Sequence, residues 1–437
     1  MTSKLAVVLT WGCSHNQKDS QLIEQQLLIG GYSLLSNGNT KDADLVVVNT
    51  CTVKTPTEDK IFYFLDRLKE TNQKVVVAGC ISQAEPELIE KRYPDFITLG
   101  VNAAAQILSA LEIKSDDRLL LPVMNNISLG KKNNKTDWFD KPLLDSTRWN
   151  PNLNIIQINE GCLNSCTFCA TKKARGHLRS YSRESIISSI RKEITSEIWL
   201  TSQDTACWGF DFNEDLSLLI NDINSINRKF WVRIGMGNPN NMIKVLDQVV
   251  EAYKSEKVYK FLHLPVQAGS NRILDHMKRG YTVEEYELIV ERFRKEIPEI
   301  TISTDVICGY PTETEKEFEE TVRTIEKTKP SITNISRYWE RRGTPAVDYE
   351  QVSKQERKRR STLLSKLCKD IQMEDNQQWV GWEGEVYLSE EGSKGGIQGR
   401  NLAYKPIILK ENDLKLGEFV NARIVEAKST YFIGELI

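Results

Sequence analysis

Apolar runs alternate with helical patterns over the first hundred residues of the chain. Four strand-like runs, at 4–10, 43–50, 74–79 and 96–100, are separated by segments in which apolar residues recur at helical spacing. Continuous β-branched runs between helices are typical of strands that are buried on both faces. This part of the chain therefore predicts an α/β fold with a doubly wound parallel sheet.

A second α/β region follows a polar segment. Strand-like runs at 154–158, 197–201, 229–234, 258–264, 299–307 and 332–338 alternate with helical patterns. They predict a partial (β/α) barrel, in which chemistry lies at the carboxyl ends of the strands. A helix over 355–371 ends this region, and the short alternating runs beyond it predict a small β-barrel.

The same patterns predict four segments. We expect an N-terminal domain over 1–113, a polar linker over 114–147, the central barrel over 148–372 and the C-terminal β-barrel over 373–437. The linker carries the charged and amide-rich run KKNNKTDWFDKP.

Composition excludes several classes of protein. No apolar run approaches the roughly 20 residues that span a bilayer, and the N-terminus lacks the pattern of an export signal. We therefore expect a cytoplasmic protein with no membrane association. A net charge of -2 gives no general basic surface, so any nucleic-acid contact must depend on local patches. Nine cysteines without an export signal favour metal or redox chemistry over disulfides.

Three of the cysteines follow strands of the N-terminal sheet. Cys13, Cys51 and Cys80 come at or just past the carboxyl ends of three predicted strands. If those strands are neighbours, the three thiols converge on one edge of the sheet, where ligands bind in this architecture. The alternative is that each is a small buried core residue.

Three more cysteines follow the first strand of the predicted barrel. Cys162, Cys166 and Cys169 have C-x3-C-x2-C spacing, which suits an iron–sulfur cluster on a short loop. A zinc site completed by His177 is the competing interpretation. A cluster held by only three thiolates leaves one iron open to bind substrate.

These residues resemble a known family. The pattern of Cys162, Cys166, Phe168 and Cys169 after a first barrel strand resembles the radical S-adenosylmethionine enzymes. WGCSHNQKDS, VVNTCTV and VVAGCIS in the first hundred residues resemble the N-terminal domain of the methylthiotransferases. The barrel segments TSQDTACWG, LPVQAGSNRIL, MKRGYT, DVICGYPTET and RRGTPA resemble the same family, and the tail resembles its TRAM domain. The opening segment looks most like the archaeal and eukaryotic type, and the absence of a hydrophobic C-terminal anchor favours a soluble archaeal-type enzyme.

The resemblance implies cofactors and a reaction. It implies two 4Fe-4S clusters, one on Cys13, Cys51 and Cys80 and one on Cys162, Cys166 and Cys169, together with S-adenosyl-L-methionine. The expected enzyme is a radical transferase that methylthiolates C2 of N6-threonylcarbamoyladenosine beside the tRNA anticodon. The expected partners are tRNA and an electron donor protein, and the expected state is a monomer. The alternatives are methylthiolation of isopentenyladenosine in tRNA or of a ribosomal protein, and a non-catalytic iron–sulfur protein that binds RNA.

Residues outside the cysteines give weaker signals. Gln203, Arg233, Asn238 and Gln267 lie near the ends of successive barrel strands, where polar groups reach a cofactor, and turn capping is the alternative. We assign no catalytic residue beyond the clusters.

Two basic stretches, 172–179 and 354–360, are candidate contacts to RNA phosphates or else solvated faces. The tail itself is acidic from residue 373 onward, with eleven acidic and seven basic residues.

Overall fold

The chain forms two compact units. A computed structural model describes residues 4–35, 38–52, 55–113, 139–392, 395–411 and 413–437, so most of the predicted linker, 114–138, lies outside the described residues. The first unit comprises the described residues up to Trp149, together with Asn159–Cys162 and Cys169–Ser189. The second comprises Asn150–Ile158, Leu163–Phe168 and Ile190–Ile437. The four domain ranges inferred from the sequence stay a prediction.

The first unit is built on a five-stranded parallel sheet. Its strands are β1 (Leu5–Thr10), β2 (Ser33–Leu34), β3 (Leu45–Thr50), β4 (Lys74–Gly79) and β5 (Ile97–Thr98). They lie in the order β2-β1-β3-β4-β5, and every neighbouring pair is parallel. All six residues of β3 are buried, since helices cover both faces of the sheet. The doubly wound prediction is confirmed.

Helices pack on both faces of this sheet. They are Ser14–Ile29, Thr55–Leu68, Cys80–Ala84, Pro86–Arg92 and Ala103–Ala110. One apolar core layer joins Leu22, Leu27 and Ile107 to alternate residues of the strands, and a second joins Ile61 and Leu65 to the others. A short antiparallel pair, β7 (Asn159–Glu160) and β8 (Arg179–Ser180), and the helix Thr171–Arg175 also belong to this unit.

The second unit contains two three-stranded parallel sheets that together form a partial (β/α) barrel. They are β6 (Leu153–Gln157), β9 (Glu197–Thr201) and β10 (Trp231–Ile234), and then β11 (Phe261–His263), β12 (Thr301–Cys308) and β13 (Ile332–Arg337). A single parallel bridge, Val232 to Val258, links the two sheets. Within the run 258–264 the strand covers only Phe261–His263, and Val258 forms the isolated bridge. The Lys260 backbone N–H between them donates to Leu402 O at 2.7 Å rather than to a neighbouring strand.

Helices alternate with these strands. They are Leu216–Asn224, Pro239–Met242, Leu246–Tyr253, Asn271–His276, Val283–Glu296, Glu315–Thr328 and Lys354–Gln377, and short 3-10 turns cover Thr205–Cys207, Phe210–Phe212, Ile243–Val245 and Pro345–Asp348. The 3-10 turn Lys141–Leu143 belongs to the first unit, and the helix Arg183–Lys192 includes the end of the first unit and the beginning of the second. The last helix is longer than the predicted 355–371. Among the described residues, no helix combines the length and apolar character that a membrane crossing requires.

The tail closes into a five-stranded barrel. Its strands are β14 (Glu383–Glu391), β15 (Ile397–Asn401), β16 (Pro406–Leu409), β17 (Phe419–Ala427) and β18 (Phe432–Leu436), in the order β14-β15-β16-β18-β17. The small barrel packs on the amino ends of the central strands, where Trp231 and Phe419 meet edge to face at 4.9 Å. The carboxyl ends of those strands remain clear of this contact. The predicted fold class is therefore confirmed, with β2, β7, β8 and β15 as strands that the sequence patterns missed.

Candidate iron–sulfur and cofactor sites

The first three cysteines lie at one edge of the parallel sheet. Their strands, β1, β3 and β4, are direct neighbours, which is the condition for the thiols to converge. Cys13 is exposed at the start of the helix Ser14–Ile29, whereas Cys51 and Cys80 are buried. Gly79, just before Cys80, has φ +91°, and a Cβ there would lie 2.2 Å from Asn49 Oδ1. Glycine is required at this position because both the backbone angle and the close approach exclude a side chain.

Asn16 connects the three cysteine positions. Its Nδ2 donates to Thr50 O at 2.8 Å and to Trp11 O at 3.2 Å, so it fixes the chain just before Cys51 and Cys13. Its Oδ1 lies 3.8 Å from the Sγ atoms of both Cys13 and Cys80. The Asn16 amide thus lies beside the thiols of two cysteines and anchors the backbone that leads to the third.

A buried arginine also reaches this edge. Arg175 Nη2 donates to Asn16 Oδ1 at 3.1 Å, and the guanidinium interacts electrostatically with the Cys80 thiol. Burial raises the pKa of the Cys80 thiol, and the guanidinium acts in the opposite direction. Burial also opposes the charge on Arg175, but the Cys80 thiol and two nearby carboxylates outweigh it and raise the arginine pKa.

The two carboxylates belong to a buried ion network. Asp19 accepts from Arg175 Nη2 and from Lys141 Nζ, each at 2.7 Å. Glu160 accepts from Arg175 Nη1 at 2.9 Å, contacts Lys141 Nζ and lies 3.1 Å from His15 Nε2. Burial lowers the pKa of His15 despite Glu160, so this histidine is neutral at pH 7. Two anions and two cations then balance inside the unit.

One possible metal site lies within this network. His15, Asp19 and Glu160 place three potential ligand atoms within 4.8 Å of one another. Both carboxylates, however, already pair with Lys141 and Arg175. The charge that a cation would supply is therefore provided by the protein itself.

The second set of cysteines lies on the loop 161–170. All three thiol-bearing residues are partly exposed. Within the first unit, the Cys162 N–H donates to Gly176 O at 3.2 Å, and Cys169 Sγ lies 3.1 Å from Thr171 Oγ1. Gly161 has φ +74°, and a Cβ there would meet His177 O at 2.0 Å. The turn into the loop therefore requires glycine.

Within the second unit, a buried arginine contacts the middle cysteine of this loop. Arg279 Nη1 donates to Cys166 Sγ at 3.2 Å, and its Nη2 donates to Asn238 Oδ1 at 3.1 Å. Burial alone would lower the pKa of Arg279, but Tyr281 and Cys166 beside it outweigh burial and raise it. The guanidinium thus stays charged and joins Cys166 to one of the polar residues predicted to bind a cofactor.

The four predicted cofactor contacts occupy different environments. Gln203 follows β9, and its Oε1 is buried with no hydrogen-bond partner among the described residues. Gln267 adopts φ +69°, and its backbone N–H donates to Asp305 O at 2.8 Å. Asn238 is buried and begins the helix Pro239–Met242. Of the four, Asn238 is the one that the structure joins to a cysteine of the loop, through Arg279.

Arg233 is the third of the four residues of β10. Its guanidinium stacks on the rings of Trp199, Phe261 and Tyr404 at 4.9 to 5.5 Å from their centroids. Its Nε is buried without a hydrogen-bond partner among the described residues. An arginine held by aromatic faces with an unused donor is suited to bind a polar group.

Sequence reasoning missed several polar residues of these sites. Asp204 is fully buried, and its carboxylate accepts from Asn238 N at 2.9 Å and Asn241 Nδ2 at 2.8 Å. Asn16, Arg175 and Arg279 were likewise not predicted. One signal was available: the helix Ser14–Ile29 begins with SHNQKDS, and a helix that buries such residues must satisfy them with partners.

The two candidate basic stretches are only partly exposed. Arg175 in the first stretch and Arg357 and Arg360 in the second are buried. Arg360 Nη1 lies 2.7 Å from Glu313 Oε2, so this arginine turns inward and is not available to a phosphate. Lys173 and Lys358 remain exposed to solvent.

Comparison with known proteins agrees with this arrangement. Residues 5–100 match a family described as uncharacterized protein family UPF0004, residues 156–325 match the radical SAM superfamily, and residues 377–437 match the TRAM domain. The fold resembles the radical S-adenosylmethionine methyltransferase TsrM of Kitasatospora setae, with a TM-score of 0.54 at 13% identity over 79% of this chain and 74% of that one.

Relatives that match along nearly all of this chain narrow the family assignment. A probable threonylcarbamoyladenosine tRNA methylthiotransferase of Pyrococcus horikoshii is 41% identical over 434 residues, covering 98% of both chains. The threonylcarbamoyladenosine tRNA methylthiotransferase of Homo sapiens is 34% identical over 98% of this chain and 73% of that protein. With its three matching domains and these relatives, the chain belongs to the threonylcarbamoyladenosine tRNA methylthiotransferase family of radical SAM enzymes.

Proposed function

We propose that this enzyme replaces the C2 hydrogen of N6-threonylcarbamoyladenosine, beside the tRNA anticodon, with a methylthio group. The observation that carries the proposal is the presence of two separate cysteine trios in one chain. Cys13, Cys51 and Cys80 follow neighbouring strands, and the second trio lies on the loop that follows β6 and β7. One cysteine trio is sufficient for a radical enzyme. The second trio serves the additional step, the transfer of sulfur.

Both trios fit 4Fe-4S clusters by the chemistry of their donors. Three thiols at each site supply soft ligands for iron and leave one coordination position open. We assign Cys13, Cys51 and Cys80 to one cluster, the N-terminal cluster, and Cys162, Cys166 and Cys169 to the other, the central cluster. Together, the bound clusters and S-adenosylmethionine supply radical chemistry at an unactivated C–H bond and a sulfur atom, which side chains lack.

Polar residues of the second unit orient S-adenosylmethionine in this proposal. Arg279 donates to both Cys166 Sγ and Asn238 Oδ1, so it fixes a ligand thiol and a cofactor contact in one geometry. Asp204 receives the backbone N–H of Asn238 and holds the start of that helix in place. Gln203 Oε1 and Arg233 Nε are buried without partners among the described residues, and polar groups of the cofactor or substrate satisfy them.

The substrate and partners follow from the family. The relatives named above act on threonylcarbamoyladenosine in tRNA, which favours this nucleoside over isopentenyladenosine or a ribosomal protein. Exposed lysines such as Lys173 and Lys358 then contact phosphates, and the TRAM domain adds RNA contacts despite its acidic balance. An electron donor protein completes the cycle, and the enzyme acts as a cytoplasmic monomer.

Nucleoside analysis tests the substrate. Digested tRNA from cells that lack the gene should contain threonylcarbamoyladenosine without its methylthio form, as measured by mass spectrometry. Returning the gene should restore the product. Unchanged methylthiolation of this nucleoside in the deleted cells would overturn the proposed substrate, and loss of methylthio-isopentenyladenosine instead would identify the alternative.

Two cysteine variants test the division of labour. Wild-type protein reconstituted without oxygen should hold about eight irons, and Cys166→Ala and Cys51→Ala should each hold about half. Cys166→Ala should abolish cleavage of S-adenosylmethionine, because it removes a ligand of the central cluster. Cys51→Ala should retain some cleavage but form no methylthio product. Equal loss of both activities in both variants would contradict two separate roles.

A further inference from the structure

Arg175 occupies an unusual position for a fully charged side chain. It ends the short helix Thr171–Arg175 just after the central loop, and its side chain is only 2% exposed. Its partners Asn16 and Asp19 lie 159 and 156 residues earlier in the chain. A helix that follows the second cysteine trio thus delivers a cation to the first.

Two carboxylates fix the guanidinium. Asp19 binds Nη2 at 2.7 Å and Glu160 binds Nη1 at 2.9 Å, while Asn16 Oδ1 lies 3.1 Å from Nη2. Charge-assisted bonds to both ends of the fork leave little rotational freedom. Lys141 contacts the same two carboxylates and holds them in place.

The held guanidinium faces the cysteines. Arg175 Nη2 lies 3.1 Å from Asn16 Oδ1, and that oxygen lies 3.8 Å from the Sγ atoms of both Cys13 and Cys80. The guanidinium therefore lies beside both thiols and interacts electrostatically with them. Among the described residues, Lys141 Nζ contacts Asp19, Glu160 and the Phe139 ring and no cysteine. Of the two buried cations, Arg175 is therefore the one that acts on sulfur. In the second unit Arg279 makes the corresponding contact to Cys166, at 3.2 Å.

We infer that Arg175 is a positioning residue that raises the reduction potential of the N-terminal cluster, by placing a fixed positive charge beside its thiolate ligands. This inference rests on the proposed assignment of Cys13, Cys51 and Cys80 as ligands. The potentials of iron–sulfur clusters depend on net charge and on hydrogen bonds to the sulfurs. A buried charge has a large effect because water screens it little.

The test isolates the N-terminal cluster in the full-length chain. Cys162, Cys166 and Cys169 are changed to Ala, and the protein is reconstituted anaerobically and analysed for iron and sulfide. The midpoint potential is then measured by a redox titration followed by electron paramagnetic resonance. Arg175→Gln should make the potential more negative, with at least a tenfold change in the reduction equilibrium, equivalent to about 59 mV for one electron.

Two further variants separate charge from packing. Lys173→Gln removes a cation from the same helix, but this lysine is 45% exposed and lies 3.7 Å from Glu85, so the potential should not change. Glu160→Gln removes a negative charge, while Asp19 and Asn16 still bind Arg175 Nη2, so the potential should become less negative. If the network only stabilised the fold, Arg175→Gln and Glu160→Gln would not shift the potential in opposite directions.

The outcomes distinguish the inference from the proposed function. If the reference protein holds no iron, the assignment of the N-terminal cluster fails, and the inference with it. If the cluster is present and Arg175→Gln leaves the potential unchanged, the inference alone is overturned. If Arg175→Gln holds no cluster, the midpoint potential of Glu160→Gln becomes the test. An unchanged or more negative potential in that variant overturns the inference.

Discussion

Lys141 offers the most direct test of the buried ion network. Its side chain is 2% exposed, and it contacts both carboxylates of the network, with Nζ 2.7 Å from Asp19 Oδ1. Lys141→Met preserves the apolar length of the side chain and removes its charge. Asp19 and Glu160 are then left with Arg175 as their cation, and one buried negative charge is uncompensated.

The expected loss of stability is large. Removing one partner of a buried ion pair costs about 3–5 kcal/mol, because the remaining charge stays out of water. Since 1.4 kcal/mol is a tenfold change, amide protection of the helix Ser14–Ile29 should fall by roughly 10²- to 10⁴-fold. Asp19 lies on that helix and anchors it to the rest of the unit.

Hydrogen exchange with mass spectrometry of peptides from this helix measures the effect locally, which suits a chain of two units. Arg92→Met is the matched control, since its pair with Asp66 is more than 40% exposed on both sides and should contribute less than about 1 kcal/mol. Adding Asp19→Asn to Lys141→Met restores the charge balance and should recover part of the protection. Equal protection in Lys141→Met and Arg92→Met would refute the reasoning.

Two other predictions follow from buried groups. Burial raises the pKa of Glu313 to about 7 against the opposing effect of Arg360, so the folded protein binds a proton that the unfolded chain releases near pH 4.5. This contribution to the free energy of unfolding is present below pH 4.5 and is lost as pH rises to about 7, a change of about 3 kcal/mol. Thermal unfolding at pH 5 and pH 8 should show the loss in wild type and not in Glu313→Gln. Identical pH dependence in the two proteins would contradict the prediction. In Gly161→Ala a Cβ would lie 2.0 Å from His177 O and disturb the turn into the central loop. The variant should therefore lose the central cluster, about half of the bound iron, and keep the N-terminal cluster. Full iron content would show that the turn tolerates a side chain.

The fold was largely predictable because its strands carry strong local signals. The run VVV in β3 is buried on both faces, and its hydrophobicity alone marks it as a central strand. The strand β15, with the sequence IQGRN, has no such signal, since its pairing with β14 and β16 rather than its composition makes it a strand. The two-residue strand β2 is too short to produce any periodicity.

The candidate site was predictable only where residue type and spacing carry the chemistry. Cysteines at strand ends and at C-x3-C-x2-C spacing indicate metal ligands without knowledge of the fold. Arg175 and Arg279 make contacts to residues 159 and 113 positions away, and no local pattern identifies which of the many arginines turn inward. Arg233 was predicted for its place near a strand end, but its stack on three aromatic rings became apparent only from the structure.

The first unit is assembled from three separate stretches of the chain, and this has a consequence for biosynthesis. A nascent polypeptide that has emerged only as far as Trp149 contains every cysteine of the sheet edge but lacks Glu160 and Arg175. Iron loading of that edge before residue 175 leaves the ribosome would therefore occur without its guanidinium. Iron delivered after residue 175 has emerged would meet both cysteine trios together with the guanidinium.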